Sequence, residues 1–133
     1  MLFLMTPADV IHELVRRWNA GDIEGVLDAY TEDAVMISGP DWPEQTTRRG
    51  REDIRANIDE WRAVWESAEL EIRRIETFCD RVVAEGAWNA RGRSSGVSGA
   101  MPVTILCTIR HGKIASLEWF TDYDAAVAAA RGA

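Results

Sequence analysis

The stretch WNAGDIEGVLDAYTEDAV, residues 18–35, contains three structural signals in one short run. Gly21 follows an apolar pattern with helical spacing and is typical of a helix end, and Asp22 is typical of the cap of a new helix. The second helix is short, and its apolar residues again recur at helical spacing. A strand is predicted over residues 34–38. The stretch therefore predicts two helices followed at once by a strand.

Two longer helical patterns lie on either side of this stretch. Upstream, Thr6 and Pro7 favour a helix start, and apolar residues follow at helical spacing as far as Trp18. Downstream, a third helix is predicted over residues 51–67, because apolar residues recur at steps of four, three and four. These residues are Ile54, Ile58, Trp61 and Trp65. The residues between, 39–50, are predicted to form a loop.

The second half of the chain changes to the alternating pattern of strands. The predicted strands are 70–78, 81–91, 101–111 and 113–121. Arg73 and Arg74 interrupt the alternation in the first of these, which indicates a bulge. A last alanine-rich helix is predicted to begin at Asp124. The order ααβαββββα indicates one α+β domain over residues 1–133, with a curved antiparallel sheet wrapped around helices.

Composition excludes several classes of function. The net charge of −7 disfavours nucleic acid as a partner, because the field of the protein repels phosphates. No apolar run is long enough to span a membrane, and the first residues lack the features of a signal peptide, so we expect a cytoplasmic protein.

Cys79 and Cys107 are expected to be buried thiols, with a disulfide as the alternative. His12 and His111 lie too far apart for a metal site, and we expect neither metal nor cofactor.

Four short motifs, in this order, resemble the nuclear-transport-factor-2-like superfamily. They are WNAGDIEGVLDAYTEDAV, RGREDIRANI, RGRSSG and IRHGKIASLEWFTDYDAAVAA. The chain is most similar to the SnoaL-like (polyketide-cyclase-like) branch, which also resembles ketosteroid isomerase. The resemblance implies a sheet wrapped into a cone, a long helix that closes one side, an apolar cavity, and dimers through the outer face of the sheet. The fold hosts isomerases, cyclases, hydrolases, dehydratases and non-catalytic binders, so the resemblance names no single function.

The residues that such relatives use for catalysis are mostly replaced. Members similar to ketosteroid isomerase hold an oxyanion with a tyrosine and an aspartate, and a second aspartate moves the proton. The matching positions here are Leu14, Leu106 or Cys107, and Ser38. Members similar to epoxide hydrolase use an Asp-Arg-Asp set, and Trp119 stands where its inward acid belongs. We therefore expect neither activity.

Two acids remain as catalytic candidates. Cyclase-like members use an acid near the end of the last strand, and Asp122 lies there, but it is also placed to cap the last helix. Glu85 lies within a strand, and burial would make it a base by raising its pKa. Alternation along the strand instead points Glu85 outward. For both acids the pattern favours the structural role.

Tryptophan is the unusual feature of the composition, with six residues in 133. A cone fitted with the rings of Trp61, Trp88 and Trp119 favours a small apolar or aromatic ligand. The expected lining residues are Leu14, Trp18, Met36, Ser38, Trp42, Ile58, Trp61, Trp65, Cys107, Leu117 and Trp119. We expect a small-molecule-binding protein and leave isomerase, cyclase or hydrolase activity open. The alternative is a non-catalytic binding module or dimeric scaffold.

Trp42 differs from the other tryptophans because it lies in a predicted loop. Pro40 and Pro43 would stiffen this loop, and the indole is expected either to close over the cavity or to contact a partner subunit. A homodimer is expected through the outer face of the sheet. Ile114 and Phe120 alternate to that face, and an exposed Phe120 would form an apolar patch that a monomer rarely tolerates.

Overall fold

The computed structural model describes residues 5–40, 42, 45–92 and 98–132, and within them the chain forms four helices and six strands. The helices are α1 (Pro7–Asn19), α2 (Ile23–Asp28), α3 (Arg51–Val64) and α4 (Tyr123–Gly132). The strands are β1 (Tyr30–Ser38), β2 (Thr47–Arg49), β3 (Trp65–Phe78), β4 (Arg81–Gly92), β5 (Ser98–Arg110) and β6 (Lys113–Phe120). The predicted α+β class is confirmed. Pro43 and residues 93–97, which include most of the RGRSSG motif, lie outside the described residues.

The first two helices begin where the sequence places caps. Thr6 and Asp9 form a reciprocal pair at the start of α1, in which the Thr6 Oγ1 accepts from the Asp9 amide at 3.1 Å. The Asp22 carboxylate accepts a hydrogen bond from the first turn of α2. Gly21, with a φ of 77°, makes the turn between the two helices. These contacts fix where α1 and α2 begin, ahead of β1.

The strands form one six-stranded sheet in the order β2-β1-β6-β5-β4-β3. All neighbouring pairs are antiparallel except β1 and β6, which are parallel. The expectation of a fully antiparallel sheet is therefore wrong at that pair, since strands joined by a long connection can pair in either direction. The predicted bulge is confirmed, because the register of β3 on β4 shifts between Ile72 and Arg74.

Several boundaries differ from the prediction, and β1, β3 and β5 begin earlier, at Tyr30, Trp65 and Ser98. Residues 47–49 of the predicted loop form β2, which pairs with β1. Helix α3 ends at Val64, and Trp65 begins β3 with extended backbone angles (φ −108°, ψ 128°). Pairing with the far end of β4, where Trp65 lies opposite Gly92, continues the sheet through residues whose local pattern is helical. Trp65 is therefore a strand residue, although its ring still packs 5.5 Å from that of Trp61.

The sheet buries apolar residues on both faces. On the inner face, α1, α2 and α3 pack on residues such as Val82, Cys107 and Leu117. On the outer face, α4 packs on a second cluster that contains Val83 and Phe120. Among the described residues, no helix is long and apolar enough to cross a membrane.

The outer cluster corrects the prediction about Phe120. Its side chain is 3% exposed, because the short helix α4 folds back over it. Ile114 is fully buried in the inner cluster. The apolar patch that motivated the homodimer is therefore covered within the chain, and the homodimer itself stays a prediction.

The prediction that Cys79 is buried is wrong, since it is exposed in the turn between β3 and β4. Both Cys79 and Cys107 are free thiols.

Candidate functional site

A cavity of about 300 Å³ lies between the inner face of the sheet and helices α1 and α3. Ten of the eleven residues that the sequence proposed for its wall do line it. They are Leu14, Trp18, Met36, Ser38, Trp42, Ile58, Trp61, Trp65, Leu117 and Trp119. Cys107 does not, because it is fully buried in the core on the inner side of β5. Leu117 and Trp119 both face inward, as the expected register of β6 requires.

The six tryptophans form one continuous network of ring contacts. The contacts, as distances between ring centroids, are Trp18–Trp88 (5.4 Å), Trp61–Trp88 (5.6 Å), Trp61–Trp65 (5.5 Å), Trp88–Trp119 (6.1 Å) and Trp42–Trp119 (5.8 Å). Trp88 is the centre, since it contacts three of the other rings and is 8% exposed. All six side chains also line the cavity. The wall therefore combines indole rings with aliphatic side chains, and it offers both faces and edges of the rings.

Polar side chains occupy two parts of this wall. The Ser38 Oγ lies 3.2 Å from the Thr46 Oγ1 and accepts a hydrogen bond from the Thr46 amide at 3.1 Å. The Arg48 guanidinium donates to the Glu60 Oε2 at 2.7 Å and to the Asp53 Oδ1 at 3.3 Å. Thr46 and Arg48 lie in or beside β2, in the segment that was predicted to be a loop. No local pattern in the sequence indicates that this segment pairs with β1 and joins the wall.

Asn57 and Tyr30 are further polar residues that sequence reasoning missed. Asn57 lies on α3, one residue before the apolar Ile58, and its Nδ2 donates to the Met36 sulfur at 3.4 Å. The helical spacing of α2 predicts Tyr30 as part of its apolar stripe, but Tyr30 begins β1 and is 3% exposed. No described residue forms a hydrogen bond with its hydroxyl. A tyrosine in an apolar stripe is the signal that could have identified this group, because a buried phenol normally needs a partner.

The ionisation of the buried groups follows from their surroundings. Burial raises the pKa of the Tyr30 phenol far above its usual value, and the nearby Cys107 thiol adds to the effect. Burial likewise raises the pKa of the Cys107 thiol. Both groups are therefore neutral at physiological pH. The Nε1 of Trp61 is also buried, and it has no hydrogen-bond partner among the described residues.

The two candidate catalytic acids lie outside the cavity. The Asp122 carboxylate accepts a hydrogen bond from the Ala125 amide at 3.2 Å and thereby caps α4. Glu85 forms an ion pair with Arg74 at 3.3 Å, and its side chain is 36% exposed. Among the described residues that line the cavity, none is an aspartate, glutamate or histidine. The described residues also contain no cluster of His, Cys, Asp or Glu that could hold a metal ion.

Comparison with known families supports the resemblance seen in the motifs. The profile of the SnoaL-like domain matches residues 11–117, which extend from within α1 to within β6 and so include most of the elements around the cavity. The chain belongs to the SnoaL-like family. No curated protein sequence matches it significantly. This SnoaL-like chain is therefore placed by its family profile and by its fold.

Solved structures with this fold resemble the SnoaL-like chain over nearly its whole length. TerC, co-crystallised with polyporic acid, is 22% identical with a TM-score of 0.77, over 90% of this chain and 95% of that one. A Catenulispora acidiphila protein with a ketosteroid isomerase-like fold, in complex with trimethylamine, is 18% identical with a TM-score of 0.77, over 96% and 95%. A candidate polyketide cyclase from Pseudomonas putida is 18% identical with a TM-score of 0.76, over 91% and 95%. At these identities the likeness shows the fold alone.

Proposed function

We propose that this SnoaL-like protein binds a small apolar or aromatic molecule in the cavity. The observation that carries the proposal is the network of six tryptophans, all of which line the same space. Indole rings give large apolar contact areas and favour stacked or edge-to-face contact with another ring. The volume of about 300 Å³ is at the lower end of the range for ligand pockets, which favours a ligand of one or two fused rings.

The proposed role is binding, without acid/base chemistry from the wall. A general acid or base that works near neutral pH needs a pKa close to that pH. The described lining residues include no carboxylate and no imidazole, and burial moves the pKa of Tyr30 away from neutrality. The described part of this wall can enclose and orient a molecule, and it contains no group that takes up a proton at pH 7.

Other proteins with this fold have been crystallised with small organic molecules. TerC was co-crystallised with polyporic acid, and the Catenulispora acidiphila protein is in complex with trimethylamine. These two molecules differ greatly in size and charge. The fold is therefore compatible with ligand binding, and the choice of an aromatic ligand for this chain rests on its own tryptophans.

The proposal is tested by titrating the purified protein with naphthalene and following tryptophan fluorescence. Binding should quench the emission, because every tryptophan of the chain lines the cavity. Trp119→Ala should weaken binding. Phe78→Ala is the matched control, since it removes an aromatic ring that packs beside the outer cluster instead.

Two outcomes would contradict the proposal. One is that naphthalene leaves the fluorescence of the wild-type protein unchanged up to its solubility limit. The other is that Phe78→Ala weakens binding as much as Trp119→Ala does, which would place the binding site outside the cavity. Native mass spectrometry of the protein as purified is an independent test, because a molecule retained from the cell would appear as an added mass.

A further inference from the structure

We infer that Tyr30 selects the ligand by donating a hydrogen bond from its hydroxyl to an uncharged acceptor atom on the end of the molecule that enters the cavity first. The inference rests on the proposed function and adds a chemical requirement to it. An apolar ring alone can make the contacts with the tryptophans. A hydrogen bond from Tyr30 also requires that the ring carry an oxygen or nitrogen acceptor.

The Tyr30 hydroxyl is a donor with no partner in the chain as described. The side chain is 3% exposed and lines the cavity, and no described residue forms a hydrogen bond with its oxygen. The described side-chain atom that is both fully buried and unpaired is the Nε1 of Trp61, so the Tyr30 hydroxyl keeps accessible surface. Tyr30 lines the cavity, and a ligand there can supply the acceptor that the chain does not.

The position of Tyr30 places it at the inner end of the cavity. It begins β1, and Ser38, which also lines the cavity, ends the same strand eight positions later. The half-exposed lining residues include Trp119, which pairs with Ser38 on the neighbouring strand. On the neighbouring strands Met101, which is 38% exposed, continues the wall on this side. A molecule that enters from solvent therefore meets Trp42 and Trp119 first and Tyr30 last.

The charges around the cavity favour an uncharged acceptor. Arg48 is the one cationic side chain in the described wall, and it is already paired with Asp53 and Glu60. An anionic ligand would have to compete with these two carboxylates. The Asn57 amide donates to a thioether sulfur, which is a weak acceptor, so it too can exchange its partner for a better one. The described wall therefore offers neutral hydrogen-bond donors, and its one cationic side chain is already paired with carboxylates.

The test compares two ligands of nearly the same shape in two proteins. The ligands are 2-acetylnaphthalene and 2-isopropenylnaphthalene, which differ by a carbonyl oxygen in place of a methylene group. Tyr30→Phe removes the hydroxyl and keeps the ring. We expect this substitution to weaken binding of the ketone by about threefold to tenfold, the usual effect of one neutral hydrogen bond, and to change binding of the alkene by less than about twofold.

Tyr123→Phe is the matched control, because it removes a phenol hydroxyl that lies outside the cavity and is bonded to Glu76. It should leave the affinity for both ligands unchanged. Thermal unfolding gives a second readout. A hydroxyl without a partner contributes little to the folded state, so Tyr30→Phe should leave the melting temperature unchanged or raise it.

The outcomes separate this inference from the proposed function. Equal weakening of both ligands by Tyr30→Phe, or no weakening of the ketone, would overturn the inference and leave aromatic binding intact. A lower melting temperature for Tyr30→Phe would show that the hydroxyl has a structural partner, which also overturns it. If the wild-type protein binds neither compound, the proposed function fails, and the selective role of Tyr30 fails with it.

Discussion

The indole ring of Trp42 lies 5.8 Å from that of Trp119, and the two planes are inclined by 37°. Trp42 belongs to the connection between β1 and β2, whereas Trp119 belongs to the last strand. Two hydrogen bonds hold the backbone of Trp42, one from its amide to the Gly39 carbonyl at 3.0 Å and one to its carbonyl from the Gln45 Nε2 at 2.8 Å. The tryptophan that the sequence placed in a loop therefore packs against the wall of the cavity in its own chain.

Trp42→Ala should weaken the binding of naphthalene by about tenfold, since an aromatic contact is worth about 0.5–1.5 kcal/mol beyond the area that it buries. The melting temperature should hardly change, because Trp42 is only partly buried and lies at the edge of the inner cluster. Fluorescence titration and thermal unfolding measure the two effects. If the wild-type protein is a dimer, and the variant binds naphthalene normally but is a monomer, Trp42 is an interface residue instead.

Trp88→Ala should destabilise the protein far more than any other single tryptophan substitution. Trp88 is 8% exposed and touches three other indole rings, so its removal leaves a hole in the wall of the cavity. Large-to-small changes of this kind cost about 3–5 kcal/mol in free energy of unfolding. Urea denaturation measures the loss. Trp65→Ala is the control, because Trp65 is only half-buried and has one ring contact, with Trp61. An equal loss in both variants would contradict the central role of Trp88.

Much of the fold could be predicted because local signals and packing agree. The residue types at Thr6 and Asp22 indicate helix caps, and the alternation of β6 places Leu117 and Trp119 on the inner face. The candidate wall was predicted for the same reason, since an apolar side chain at the correct parity has to face the core. Where propensity and tertiary pairing conflict, as at Trp65, the pattern alone gives the wrong element.

The remainder depends on contacts between parts of the chain that are distant in sequence. The sequence near Phe120 does not indicate that α4 folds back over this residue. The sequence near Arg48 does not indicate that its segment forms a strand that pairs with β1. Tyr30 is a similar case, because its role depends on which neighbours fail to reach its hydroxyl. Such absences of a partner are properties of the packed molecule and leave no periodic signal in the sequence.

Ketosteroid isomerase activity should be absent. Leu14 and Ser38 stand where the resemblance places the oxyanion donor and the base, and neither side chain can replace them. The loss of a general base alone typically lowers the rate by factors of about 10²–10⁴. In a spectrophotometric assay, a β,γ-unsaturated ketosteroid should isomerise no faster with the protein than in buffer alone. Turnover above that rate would contradict the prediction, and its loss in Glu85→Gln would identify Glu85 as the base.

The homodimer predicted from the resemblance should be sensitive to salt. The outer face of the sheet beside α4 carries charged residues such as Arg74 and Glu85, so an interface there would depend on ion pairs. Light scattering at low ionic strength should give twice the chain mass of 14.9 kDa, and the mass should fall as salt is added. A mass of one chain at micromolar concentration and low salt would contradict the prediction.

Tyr123 should make the stability of the protein dependent on alkaline pH. Its hydroxyl donates a hydrogen bond to the Glu76 Oε1, and the Arg74 guanidinium lies 3.5 Å from the centre of its ring. Burial, followed by the hydrogen bond to Glu76, raises the pKa of Tyr123 from 10.0 to about 12. A pKa that is raised by folding stabilises the neutral form, so this contribution is complete below pH 10 and is lost as the pH rises through about 12.

Tyr123→Phe removes the group and its hydrogen bond, and it should lower the free energy of unfolding at pH 8 by about 1 kcal/mol. Urea denaturation of both proteins from pH 8 to 12 should show a constant difference up to pH 10 and a shrinking one above it. Tyr30 is present in both proteins, so its own titration cancels from the comparison. A difference that stays constant up to pH 12 would mean that Glu76 and Tyr123 are not coupled as the structure indicates, because the phenol would then ionise equally in the folded and unfolded chains.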